Sequence, residues 1–239
     1  VQWYRKAAEQ GLAEAQSNLG WMYDEGRGVR HDYAKAVQWY RKAAEQGNPS
    51  AQHNLGGMYY RGKGMRQDYV EALRWYRKAT DQGYIQAQND LGGMYYEGKG
   101  VHQDYAEALR WFRKAAVQGD AAAQYNLGLM YEQGQGVRQN GVDAVQWYYK
   151  AAEQGYADAQ YNLGVMYAKG RGVRQDYVQA VQWYRKAAEQ GNVEAQHNLG
   201  AVYVNGQGVH QDHKIAKEWY KKACDNGLQQ SCDAYRTLD

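Results

Sequence analysis

Two apolar spacings alternate along the chain. After Asp32, the residues Tyr33, Ala36, Val37, Tyr40, Ala43 and Ala44 fall at helical intervals, which predicts an amphipathic helix, helix B, over 33–46. Beyond it, Ala51, Leu55 and Met58 at i, i+4 and i+7 predict a second helix, helix A, over 49–60. Asp32, like Asp68, Asp104, Asn140, Asp176 and Asp212, stands where a short side chain accepts from the first free amides of helix B. Glu71 and Glu107 add Asp-x-x-Glu starts of the capping-box kind. Gly47, Gly83, Gly119, Gly155, Gly191 and Gly227 follow each helix B as a left-handed C-terminal cap requires. Helix A runs into a Gly-x-Gly loop such as Gly62-Lys63-Gly64, and the Val or Met after it is expected to anchor the loop in the core. The short joint from helix B to the next helix A makes the two an antiparallel hairpin.

The pattern is periodic. VQWYRKAAEQG occurs at 1–11, 37–47 and 181–191, and Trp3, Trp39, Trp75, Trp111, Trp147, Trp183 and Trp219 stand 36 residues apart, with Trp21 outside the register. A fixed period of this length marks a stack in which each unit buries its apolar face against its neighbours. The expected fold is all-α, a single array over 1–239. A partial unit's helix B at 1–11 is followed by six helix A and helix B pairs over about 12–227 and a closing helix at 228–239.

The consensus AxxNLGxMYxxGxGVxxDxxxAxxWYxKAAxQG, which spans essentially the whole chain, resembles the Sel1-like repeat, a relative of the tetratricopeptide repeat. The resemblance implies a right-handed α/α superhelical solenoid that serves as a scaffold or adaptor for other proteins, in bacteria often in signalling, envelope or host contact. It implies no catalytic residues. It also bears on Cys224 and Cys232, because KKACDNGLQQSCDAY is similar to the Cys-rich secreted branch of these proteins, whose paired cysteines clip adjacent helices. A disulfide there implies a periplasmic or secreted location; two reduced cysteines filling small gaps in a cytoplasmic protein are the alternative.

The repeats can be compared with one another. Positions that scarcely vary, such as Ala15, Leu19 and Met22, form the core face of helix A. Those that vary most lie nearly opposite and are expected to form a solvent-facing stripe. Its candidate partner-binding residues are Ser17, Trp21, Asp24, His53, Tyr60, Asn89, Tyr96, Tyr125, Leu129, Tyr161 and His197. Exposed aromatic and aliphatic residues in a row mark an interaction site, and the resemblance puts helix A on the concave side, so a peptide-binding or protein-binding groove is expected. A carbohydrate or cell-wall binding module is the alternative, since aromatic rows also stack on sugar rings. Beside the stripe run two ladders, Gln16 to Gln196 and Asn18 to Asn198 with Asp90 in the latter; their constancy points to ties between helices rather than ligand contacts.

Composition narrows the remaining classes. A 44% hydrophobic share with 14% aromatics supplies a core, and no apolar run approaches a membrane span, in keeping with a mean hydropathy of −0.92. A net charge of +3 from 29 basic and 26 acidic residues argues against a nucleic-acid partner. The basic pairs, Arg41-Lys42 and its equivalents, are followed by acids and read as a solvated convex face. No constellation of nucleophile and base recurs, His210 and His213 lack a third ligand for a metal, and the Gly-x-Gly loops lack the strand that a phosphate cradle needs. Neither an enzyme nor a cofactor is expected. Val1 lies inside a repeat, so the sequence is expected to be a fragment or processed product whose parent carries at least the rest of that unit, and any targeting signal is expected in that other part.

Overall fold

The computed structural model describes residues 2–238, and among these every regular element is a helix. The chain divides into two compact units, Val1–Gln118 and Gly119–Asp239. The first contains α1 (Gln2–Glu9), α2 (Ala13–Glu25), α3 (Tyr33–Glu45), α4 (Pro49–Arg61), α5 (Tyr69–Asp81), α6 (Ile85–Glu97) and α7 (Tyr105–Ala116). The second contains α8 (Ala121–Gln133), α9 (Gly141–Glu153), α10 (Ala157–Lys169), α11 (Tyr177–Glu189), α12 (Val193–Asn205), α13 (His213–Asp225) and α14 (Gln229–Thr237). The odd-numbered helices up to α13 are the helices B of the sequence pattern, and the even-numbered ones are the helices A.

Helix ends follow their local chemistry. The Asp32 carboxylate accepts from the Lys35 amide at 3.0 Å, and Asp68, Asp104, Asn140, Asp176 and Asp212 cap α5, α7, α9, α11 and α13 in the same way. The capping boxes close on one side only: the side chains of Glu71 and Glu107 turn instead to Arg74 and Arg110, each at 3.5 Å. Each helix A from α2 to α12 stops at a glycine in the left-handed region, Gly62 with φ 65°, whose amide bonds back to Met58. Met65, Val101, Val173 and Val209 then dip into the apolar core and hold the loops down.

The closest packing is between each helix A and the helix B that follows it. The glycine of every Asn-Leu-Gly or Asp-Leu-Gly triplet faces a ring: Gly20 meets Tyr40, Gly56 meets Tyr76, Gly92 meets Phe112, Gly128 meets Tyr148, Gly164 meets Tyr184 and Gly200 meets Tyr220. A Cβ on any of these six would stand 2.5–2.8 Å from ring carbon, inside van der Waals contact. The missing side chain is therefore what admits the ring. Around it, Ala, Leu and Met close the core, with Ala51, Leu55, Met58, Leu91, Leu127 and Leu163 fully buried.

Successive repeats are tied by Trp and Gln. Trp75 of α5 is 8% exposed and packs in the core formed by α1–α4, and Trp183 of α11 likewise enters the core of α9 and α10. Gln52 donates to the carbonyl of Ala44 at 3.1 Å and accepts from Gln82 at 2.8 Å, so one buried amide bridges three consecutive helices. Gln16, Gln160 and Gln196 repeat the arrangement, Asn226 serving as donor in the last case. The Gln ladder is thus structural.

Two glycine substitutions separate packing from propensity. Gly128→Ala should lose about 1–3 kcal/mol by forcing a Cβ against the buried Tyr148 ring. Gly93→Ala, where a Cβ would meet nothing within 4 Å, should gain about 0.5–1 kcal/mol of helix propensity. Urea unfolding midpoints moving in opposite directions would bear this out, and a loss at Gly93 would contradict it.

Candidate interaction face

The variable row of helix A is a half-buried seam rather than a solvent-facing stripe. Ser17 is 6% exposed, which removes it from any contact surface. At the other extreme, Trp21 is 41% exposed, with the Arg27 guanidinium 4.9 Å above its ring. Asp24 accepts from the Tyr40 hydroxyl at 3.4 Å. The His53 ring lies 5.6 Å from Tyr76 and 5.2 Å from Tyr84, and its Nε2 is 2.8 Å from the Asp90 carboxylate of the next helix A. Helical-wheel arithmetic on one helix puts these side chains opposite its core. It cannot see the neighbouring helices that cover their flanks.

Farther along the first unit the row becomes more polar. Tyr60 sets its ring edge-on to Tyr69, 5.2 Å between centroids, donates its hydroxyl to Glu97 at 2.9 Å and accepts from Lys99 at 2.8 Å. Lys99 and Glu97 are themselves paired at 2.6 Å. Burial pushes the Tyr60 hydroxyl up, so it stays protonated and able to donate. Asn89 is half-buried, and Tyr96 repeats the edge contact on Tyr105 at 5.3 Å.

In the second unit, Tyr125 lies between Tyr148 and Tyr156, at 5.9 and 5.2 Å, and burial pushes its hydroxyl up to about 12. Tyr161 stacks at a tilt on Tyr184, and Leu129 is half-buried. The His197 ring meets Tyr220 at 5.3 Å and its Nδ1 lies 2.8 Å from the hydroxyl of Ser231 on α14; burial pushes this imidazole below its ordinary range. Each of these residues thus makes contacts inside its unit while leaving part of its surface open. The row is stiff.

On the outer face of helix B the basic pairs have aromatic partners. Lys42, Lys78, Lys150, Lys186 and Lys222 sit 3.9–4.5 Å above the rings of Trp39, Trp75, Trp147, Trp183 and Trp219. Arg41, Arg77 and Arg185 donate to the hydroxyls of Tyr59, Tyr95 and Tyr203 in the following helix A, at 3.0, 2.6 and 2.9 Å. Their charges are exposed, but their partners are indole and phenol rather than the acids a few residues on. Sequence reading missed this seam, although Trp and Lys three apart in every copy and Arg and Tyr 18 apart in five of them were there to find it.

The chain matches the family model described as Sel1 repeat at residues 1–12, 13–48, 49–84, 85–120, 121–156, 157–192 and 193–228. The chain belongs to the Sel1 repeat family. Members of this all-α solenoid family are in general non-catalytic scaffolds for protein interaction. It is similar to a Sel1 repeat protein from Oxalobacter formigenes, at 40% identity over 92% of this chain and 88% of that one, with a TM-score of 0.83. A protective antigen present in uropathogenic Escherichia coli strains is 38% identical over 99% of this chain, with a TM-score of 0.71; the match spans 59% of the antigen. An immunity protein from Pseudomonas aeruginosa is 27% identical over 90% of this chain and 83% of its own, with a TM-score of 0.59. No curated protein matches the chain.

At the end of the Sel1 array, Cys224 and Cys232 form a disulfide, with sulfurs 2.00 Å and Cα atoms 4.6 Å apart. It staples α14, a helix of nine residues, to α13. Among the described residues no group of three or more His, Cys, Asp and Glu gathers for a metal, and no helix is long and apolar enough to cross a membrane. Closing so short a loop stabilises by about 2–3 kcal/mol in the chain-entropy account. Reduction should therefore release α14 before the rest: amide exchange of Ser231 to Tyr235 should rise by a factor of about 30 or more, while α10 and α11 stay protected. Uniform loss of protection would show that the clip supports the whole unit.

Proposed function

We propose that this Sel1 repeat chain is a non-enzymatic scaffold that holds a protein or peptide partner along its helix A rows, as an adaptor in a bacterial envelope or host-contact setting. The observation that carries the reading is the fixed presentation of the row. Trp21, His53, Tyr60, Asn89, Tyr96, Tyr125, Leu129, Tyr161 and His197 keep part of their surface open, and most are locked by ring stacking or hydrogen bonds to a neighbouring helix. Side chains already held in one rotamer lose little entropy when a partner arrives, so a stiff polar and aromatic row binds better than an equally large mobile one. Asp24 joins the row as a carboxylate, and Ser17 does not, being buried. A carbohydrate face is less well supported, because Tyr60 and Tyr96 turn ring edges onto Tyr69 and Tyr105 instead of leaving a flat face for a sugar.

The disulfide supports a periplasmic or secreted location, since such bonds persist in oxidising compartments. Protein taken directly from the producing cells and alkylated without reductant should carry no label at Cys224 or Cys232; two labels would rule that location out.

Photo-crosslinking tests the face. A benzophenone side chain at Trp21 or Tyr96 should capture a partner in the producing cells, whereas one at the exposed Gln38 or Arg74 of helix B should not. Equal capture from both faces, or none from helix A, would overturn the reading.

A further inference from the structure

Six positions open the helices B: Tyr33, Tyr69, Tyr105, Gly141, Tyr177 and His213. Five carry a ring and one carries nothing. The ring has a defined surrounding in the first unit. Tyr69 lies edge-on to Tyr60 and under the ammonium of Lys99, at 5.2 and 5.6 Å. Tyr33 lies under Lys63 at 4.8 Å. The cation comes in each case from the middle of the next Gly-x-Gly loop. The loop's second glycine packs on the backbone of the ring residue, so that a Cβ on Gly64 or Gly100 would strike Tyr33 or Tyr69.

At Gly141 the loop and its cation are present without the ring. Gly172 packs on the Gly141 backbone just as Gly100 packs on Tyr69, and Arg171 occupies the position of Lys99. The residue facing it, equivalent to Tyr60, is Glu132, so both rings of the stack are gone at once. What remains is an open cavity of about 780 Å³ lined by Leu129, Glu132, Gly141, Asn162, Met166 and Arg171. Glu132 is held in place by the Tyr148 hydroxyl, which donates to Oε2 at 2.7 Å. Its other oxygen, Oε1, is 3.7 Å from the Arg171 guanidinium, whose side chain is 58% exposed.

We propose that this cavity is a socket for a tyrosine side chain of a protein partner, which supplies the ring that Gly141 omits. The chain itself shows what fits: in the first unit the same frame holds a tyrosine under a loop cation. Arg171 gives the cation over the ring face, Leu129 gives apolar wall with the buried Met166 behind it, and Gln139 donates to the phenol hydroxyl as Gln103 and Gln175 donate to those of Tyr105 and Tyr177. The socket deepens the scaffold reading by naming the chemistry of one anchor, and it rests on that reading for the partner being a protein.

The probe is p-cresol, the tyrosine side chain alone, titrated against the intact chain while the methyl resonances of Leu129 and Met166 are followed by NMR. Saturable shifts are expected at both residues. Toluene, without the hydroxyl to accept from Gln139, should bind about tenfold more weakly. Gly141→Tyr restores the ring found in the other repeats; it should fold with a urea midpoint no lower than the parent and lose the p-cresol shifts. Arg171→Gln, which copies Gln135 and Gln207 of other loops, should keep the fold and weaken p-cresol about threefold. Absence of saturable shifts, equal binding of toluene, or shifts that survive Gly141→Tyr would each overturn the socket. Because no partner is needed for the titration, such a failure leaves the scaffold reading to stand or fall on crosslinking alone.

Discussion

The structure depends on a glycine giving up its side chain so that an aromatic ring of the next helix can lie against helix A backbone. Gly56 against Tyr76 is the unit of this packing, and it recurs five more times. The contact brings two helices close enough for Ala, Leu and Met to seal the space around the ring without large side chains. It also fixes the ring's own orientation, and from Tyr40 and Tyr148 hydroxyls extend to Asp24 and Glu132 on the neighbouring helix A. The half-open row is thus positioned from below by the buried rings.

Two other ties act between repeats rather than within them. At Gln16, Gln52, Gln160 and Gln196 the ladder satisfies a buried amide with one carbonyl from the helix before and one amide from the chain after, so the next repeat completes the hydrogen bonding of its predecessor. The Trp and Lys stacks, with the Arg and Tyr bonds beside them, cover the outer seam with the stems of cations whose heads stay exposed. The tie between α13 and α14 is of another kind. A covalent bond takes over there.

Much of this was legible in the residues alone. The period, the helix limits, the Asp and Asn caps and the Gly stops follow from short-range rules that depend on a few neighbours in sequence, and Asp68 or Gly62 behaves as those rules require. The Cys224–Cys232 pair was signalled by spacing across a hairpin together with the family resemblance. The exposure of the helix A row was not legible, because the flank of a helix is covered by helices whose placement depends on packing angle. Ser17 shows it most plainly: it sits on the far side of the wheel from Leu19 and is buried all the same. The significance of Gly141 was also hidden, since a glycine at a helix start looks unremarkable until the position of the ring it replaces is known from Tyr69.

The ties have a bearing on how such a chain can vary in length. In the ring packing, the ladder and the outer seam the partners lie 16, 18, 20 or 30 residues apart, as in Tyr40 with Asp24, Arg41 with Tyr59, Gly20 with Tyr40 and Gln46 with Gln16, whereas the row contacts of His53 and Tyr60 reach 37 and 39. The first four offsets are shorter than the 36-residue period, so inserting or excising one whole period re-creates the ties that use them at the junction. Copy number is therefore a nearly neutral variable for the interior, and recombination between the identical VQWYRKAAEQG segments would change the reach of the array without any new interface having to be invented. Positions that break the period, such as Gly141 and the paired cysteines, are the ones that distinguish one copy from another.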